Sequence, residues 1–173
     1  PAQPRRCPAL GVDQTAVSEF EPMRFEHPQK VRHPLKTHGL ILRQVVAEGL
    51  FDTIKWGMRL FPNLPILITE NGVEDADDHM RPRYLAQHIH QMWRAVNFNF
   101  PVKGYFHWSL VDNFEWERGW TQRFGLWGLD ENTQKRTKRP SADLYAEICK
   151  ENGLTSEMVQ KYCPEVFEKL FPV

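Results

Sequence analysis

The chain has 173 residues, with 22 Lys plus Arg balancing 22 Asp plus Glu, and 41% of its positions are hydrophobic. That length suits one ordinary domain, and the even mixture of charges gives no basis for a nucleic-acid surface or an anionic membrane as partner. No apolar run approaches the roughly 20 residues that cross a bilayer. The three cysteines, Cys7, Cys149 and Cys163, are too few and too scattered for a disulfide framework or a paired-thiol metal site. Free thiols in a reducing compartment are expected, and with the absence of N-glycosylation sequons they suggest a cytoplasmic location. The chain starts at Pro1 with no signal peptide, and we expect it to be a piece of a longer protein.

Six of the 13 prolines fall in the first 35 residues, a density that predicts loops with one short strand near residues 15–20. Over residues 48–61 the apolar positions Leu50, Phe51, Ile54, Met58 and Phe61 recur at three- and four-residue steps, the stripe of an amphipathic helix closed by Pro62. Residues 65–69 form a short, continuously apolar run ended by Asn71-Gly72, as in a strand buried on both faces of a parallel sheet. A second helix is predicted over 81–96, with Leu85, Ile89, Met92, Trp93 and Val96 on one stripe and Pro82 in its first turn.

A second buried strand is predicted over 104–110, followed by a charged loop over 111–121 that carries Trp116 and Trp120. Residues 124–129 read as extended. Ser141 is the expected cap of a third helix running to Lys150 and ended by Gly153, and the tail reads as two short helical pieces around Pro164. This order is α/β with parallel strands. Two strands and three helices cannot close a parallel sheet, so partners for the strand edges are missing from the prediction.

Polar groups gather where both strands end: Glu70 on the first, and Trp108, Asp112, Asn113, Glu115 and Trp116 after the second. In α/β barrels that end of the strands carries the active site. A carboxylate closing a buried strand is costly unless it is paired or catalytic, so Glu70 is either a structural acid bonded to backbone amides or a catalytic one. His88 and His90, two apart on a helix, point to different faces and do not share a metal. His88 is expected to make a helix-surface or interstrand hydrogen bond, and His107 to be a packed, hydrogen-bonded histidine. The acidic run from Glu74 to Asp78 lacks the glycine and distal glutamate of a calcium loop and reads as a solvated rim.

The segments Ile68-Thr69-Glu70-Asn71-Gly72, Trp108 to Trp116 (WSLVDNFEW) and Arg123-Phe124-Gly125, together with Arg81-Pro82, Tyr84-Leu85, His88, Arg139-Pro140 and Tyr145, resemble glycoside hydrolase family 1, the β-glucosidase family. The likeness runs from about Glu48 to Gly153. It implies a (β/α)₈ TIM barrel seen in part, a retaining mechanism, a β-linked glucoside or related glycoside as substrate, and no metal or cofactor. Glu70 matches the family's nucleophile, Glu115 the acid that grips sugar hydroxyls, Trp108 and Trp116 the indoles that wall the sugar site, and Phe124 an aromatic at its edge.

The resemblance also implies boundaries. Residues 1–47 form a proline-rich segment in which 10–16 correspond to a remnant of barrel unit six, 48–153 hold units seven and eight, and 154–173 form a helical tail. The family's acid/base motif, Thr-x-Asn-Glu-Pro, is absent, as are its early sugar-binding Gln and His. Glu21-Pro22 is no substitute. It follows Phe20 rather than Asn and lies 49 residues before Glu70, where three βα units of about 30 residues each would separate the two. The expected partners are the glycoside and either the missing N-terminal part of the barrel or a second copy of the chain. The alternative is a non-catalytic carbohydrate-binding or regulatory remnant of the same family.

Overall fold

In the computed structural model, residues 46–62 and 64–172 are described. The short strand expected near 15–20, the segment 10–16, Glu21-Pro22 and Cys7 lie outside them. Helix α1 (Glu48–Leu60) leads into strand β1 (Ile66–Asn71), helix α2 (Arg81–Asn97) and strand β2 (Val102–His107). A short antiparallel pair follows, β3 (Trp127–Leu129) and β4 (Arg136–Lys138), and then helices α3 (Pro140–Glu151), α4 (Ser156–Tyr162) and α5 (Phe167–Leu170). The periodic stripes therefore located α1 and α2 closely. The charged, exposed strand β4 was not anticipated, because nothing in Arg136-Thr137-Lys138 alternates in polarity.

β1 and β2 pair in parallel across the α2 crossover, as expected of a βαβ unit. The expectation of two doubly buried strands does not hold. Ile66, Ile68, Val102 and Tyr105 lie against Phe51 and Ile54 of α1 and Ala95 of α2, whereas Leu67 is 54% exposed and Phe106 59%. Among the described residues the sheet has two strands, covered by helices on one face and open on the other, and it forms no barrel. A second core joins Leu85 and Ile89 of α2 to Leu144 and Ile148 of α3 and Met158 of α4. The tail continues that packing. Val159, Cys163, Val166 and Leu170 bury against Ala86 of α2, and the described residues form one compact unit. Trp93 and Val96, predicted on the buried stripe of α2, are exposed at the rim of a hollow of about 550 Å³ between α2, β2 and α3.

The acidic run from Glu74 to Asp78 corrects its prediction as a solvated rim. Asp75 Oδ2 accepts from the amides of Met80 and Arg81 at 2.7 and 2.8 Å, satisfying the first free N–H groups of α2. Asp78 is buried, paired with the wholly buried guanidinium of Arg81, and accepts from Ser141 N at 2.8 Å and Ser141 Oγ at 2.6 Å. Ser141 is thus not the cap of α3. That helix begins at Pro140, and its first turn is satisfied by an aspartate 63 residues away. At the far end the left-handed residue is Asn152, not Gly153. Of the cysteines, Cys149 is exposed and free, and Cys163 is free and buried, its thiol pushed up to about 12 by burial.

Removing one partner of a buried ion pair strands the other charge, so Asp78→Ala is expected to cost about 3–5 kcal/mol in urea unfolding. Asp77→Ala, one residue away and exposed, should change stability by less than about 0.5 kcal/mol. Equal effects would show that the Asp78–Arg81–Ser141 cluster does not hold the fold.

Candidate active site

The register of the parallel pair decides where Glu70 points. Ile68 pairs with Tyr105 and Asn71 with His107, so three steps on β1 match two on β2 and one extra residue lies at Thr69–Glu70. Strict alternation from Ile68 would turn Glu70 toward the helices and Asn71 away from them. The bulge reverses this. Asn71 Oδ1 accepts from the Tyr105 hydroxyl at 2.8 Å on the helix-covered face, while Thr69 and Glu70 are both exposed. Glu70 also lines a groove of about 410 Å³ that runs along α1 and β1.

The ends of the two strands meet closely. Trp108 N donates to Asn71 O at 3.0 Å, and a side chain built on Gly72 would meet the Trp108 carbonyl oxygen at 1.7 Å, so only glycine fits there. The Trp108–Ser109 peptide is cis. Ser109 N donates to Phe124 O at 3.2 Å, which sets half-buried Phe124 beside the strand end.

The loop after β2 folds back on itself. Glu115 N donates to Gly119 O at 2.8 Å, with a single 3₁₀ turn at Trp116–Arg118. This return brings Glu115 to Trp108, whose indole Nε1 donates to Glu115 Oε1 at 3.3 Å. Trp116, at a positive φ of 49°, is directed outward and is 80% exposed. The structure therefore joins Trp108 and Glu115 directly, seats Glu70 at the end of the adjacent strand, and leaves Trp116 at the solvent edge.

Asp112 anchors this loop. It accepts from Arg139 Nη1 and Nη2 at 2.9 and 3.0 Å, from Gly125 N at 2.8 Å and from Leu129 N at 3.3 Å. Burial alone would raise its pKa, but the bonds from Arg139 and the two amides outweigh that and hold the carboxyl below its usual range. Sequence reasoning missed Asp112 and Arg139 as a pair, and it missed the Asn71–Tyr105 bond. The signal available was weak: an acid among the apolar residues after β2, and an Arg just before a helix-starting Pro.

His88 makes a hydrogen bond as expected, but from a buried position within α2 rather than at the helix surface or between strands. Its Nδ1 lies 2.8 Å from Tyr84 O one turn earlier, and its ring stacks on Tyr84 at 3.8 Å. His107 is packed against Tyr145 as expected, yet neither ring nitrogen has a partner at hydrogen-bond geometry, although the Phe124 backbone lies near enough to favour the charged ring slightly. Burial, with Arg81 nearby, lowers its pKa to about 4. Among the described residues no group of three or more His, Cys, Asp or Glu is arranged to hold a metal ion, and no helix is long and apolar enough to cross a membrane.

A parallel βαβ unit with carboxylates and indoles at the C-terminal ends of its strands defines an α/β enzyme-type site. The sequence profile of glycosyl hydrolase family 1 matches residues 12–154, and the chain belongs to that family. It is 46% identical over 112 residues to a β-galactosidase of Sulfolobus acidocaldarius, which covers 64% of this chain and 22% of that protein. It is 41% identical over 121 residues to a 1,4-β-D-glucan glucohydrolase of Thermotoga neapolitana, covering 65% and 27%.

Among solved structures it resembles the β-glycosidase of Thermosphaera aggregans (TM-score 0.65, 44% identity, 68% of this chain and 24% of that one). It also resembles a β-glucosidase of Thermotoga maritima in complex with glucoimidazole (TM-score 0.62, 39% identity, 64% and 27%). The chain spans about a quarter of the length of these relatives. The family match begins at residue 12, well upstream of Glu48, where the motifs first become recognisable.

For His107 the folded pKa lies below the unfolded one. Between about pH 6.5 and 4 the unfolded chain therefore binds the extra proton, and stability falls as pH falls through that window. A loss of ~3 kcal/mol is expected from this group between pH 7 and pH 4. His107→Phe should flatten that slope in urea titrations at successive pH values. An unchanged slope would assign the acid sensitivity elsewhere.

Proposed function

We propose that this chain carries the nucleophile and part of the sugar subsite of a retaining β-glycosidase, built from the seventh and eighth βα units of a family 1 barrel. The observation that carries this reading is the bulge at Thr69–Glu70. It sets a carboxylate on the open face of the sheet, at the strand end beside the Trp108–Glu115 pair.

In the proposed reaction a Glu70 oxygen bonds to the anomeric carbon as the glycosidic C–O bond breaks, and the aglycone leaves with that bond's electron pair. Water then hydrolyses the glycosyl ester and restores the carboxylate. Glu115 accepts from sugar hydroxyls with the acceptor sites that Trp108 does not use, since a carboxylate can take several such bonds. Trp108 and Phe124 flank the sugar, and Trp116 stands at the solvent edge as an outer wall.

A retaining enzyme needs its second carboxyl about 5–5.5 Å from the first to protonate the leaving oxygen. The motif that supplies it in the family is absent from this sequence, so we assign that role to another part of a family 1 barrel. The open face with Leu67 and Phe106 is the surface such a part would cover. A second reading, a carbohydrate-binding remnant without turnover, is favoured by the Trp108–Glu115 bond, which builds a hydroxyl acceptor without any help from Glu70.

Intact mass spectrometry after incubation with a dinitrophenyl 2-deoxy-2-fluoro-β-glucoside tests the first reading, because that leaving group departs without protonation. A stable glycosyl adduct mapping to Glu70 and lost in Glu70→Gln is expected. Absence of the adduct, with saturable quenching of tryptophan fluorescence by glucoimidazole, would sink the nucleophile assignment and favour the binding remnant.

A further inference from the structure

We propose that Asn71, bonded to the Tyr105 hydroxyl on the helix-covered face, is the positioning residue that keeps Glu70 on the open face. This rests on the assignment of Glu70 as nucleophile. A β-bulge is a register choice, and a strand that slips by one residue sends every later side chain to the opposite face. Here the bulged residues Thr69 and Glu70 are exposed and contribute no packing that would fix the choice. What fixes it is the next residue.

Asn71 Oδ1 accepts from Tyr105 Oη at 2.8 Å, and the same hydroxyl lies 3.3 Å from Asn71 O. The Asn71 side chain also stands close enough to the Tyr84 hydroxyl to offset part of the rise that burial gives its pKa. With Tyr105 on β2 and Tyr84 on α2, the amide meets two of the three elements that pack against β1. Slippage would withdraw it from both and leave the Tyr105 hydroxyl without its acceptor. Burial, with Tyr84 and Tyr145 close by, pushes the Tyr105 hydroxyl well above its ordinary pKa, so it remains a donor throughout the neutral range.

The same residue reaches the sugar side of the site. The Asn71 carbonyl accepts from Trp108 N at 3.0 Å. One residue therefore sets the direction of Glu70 through the bulge and the position of Trp108 through the backbone. A shift at Asn71 displaces nucleophile and indole together, and reaction geometry is sensitive to displacements of about 1 Å. Gly72 completes the junction, since its lack of a side chain lets the two strand ends approach.

Tyr105→Phe removes the hydroxyl and keeps the ring, and Tyr84→Phe does the same at the second partner. Two readouts separate positioning from general support. The first is hydrogen exchange at the Trp108 amide, which donates to Asn71, against the Ile148 amide in the α3 core as an internal reference. Tyr105→Phe is expected to speed exchange at Trp108 about 10-fold, the equivalent of one hydrogen bond, and to leave Ile148 unchanged. The second is labelling of Glu70 by the fluoroglucoside. Its limiting rate constant should fall about 10-fold while the half-saturating concentration stays within about two-fold.

Unchanged Trp108 exchange in both variants overturns the clamp, and so does uniformly faster exchange at Trp108 and Ile148. If the wild-type chain is not labelled at all, the nucleophile assignment fails, and the exchange comparison still decides whether Asn71 holds the bulge.

Discussion

The guanidinium of Arg81 is wholly buried, and a charge so placed is tolerable only when its neighbours answer it. They do so from two separate stretches of chain. Asp78 and the Asp75 carbonyl come from the loop after β1, and the Arg123 carbonyl comes from the segment after β2, 2.9 Å from Nη2. Asp78 then reaches on to Ser141 at the start of α3. The loop that follows Glu70 is in this way fastened both to the segment that supports Trp108 and to the helix that closes the second core. Asp112 and Arg139 repeat the device one layer further out, joining the loop after β2 to the residue just before α3.

Those two ion-paired nodes explain how a site with little apolar packing of its own can keep a shape. Glu70 and Trp116 stand largely in the open and Glu115 is half-buried, and the apolar burial lies behind them, between α1, β1 and α2 and among α2, α3 and α4. Loops that carry function on a surface need anchors of this kind, because they bury too little to hold themselves. The arrangement also separates two sides of the sheet. The helix-covered side holds tyrosines and histidines whose burial suppresses their charged forms, while Leu67 and Phe106 stand exposed on the open side.

Much of this was open to inspection in the chain itself. Apolar residues at three- and four-residue steps marked α1 and α2, and Pro62 and Pro82 marked where one ends and the other begins. The strings from Ile68 to Gly72 and from Trp108 to Trp116 carried the family. Other features were illegible for definite reasons. Asp75 and Asp78 look like any exposed acidic run, because the amides they satisfy belong to a helix still to come and to one 63 residues away. Trp93 and Val96 fit the buried stripe of α2, but the hollow beside them is left unfilled by α3 and the C-terminal residues.

The sequence by itself determined the main helices and the two parallel strands, their α/β order, the family, and the gathering of acids and indoles at the strand ends. Each of these depends on spacing along one chain or on short runs of residues. Only the tertiary structure decided which way Glu70 faces, that Trp108 and Glu115 bond while Trp116 stays in solvent, and that Asp78 caps a distant helix. Those outcomes turn on the register of β1 against β2 and on the return of a loop. Both are set by groups remote in sequence, whose hydrogen bonds leave no periodic trace in the chain.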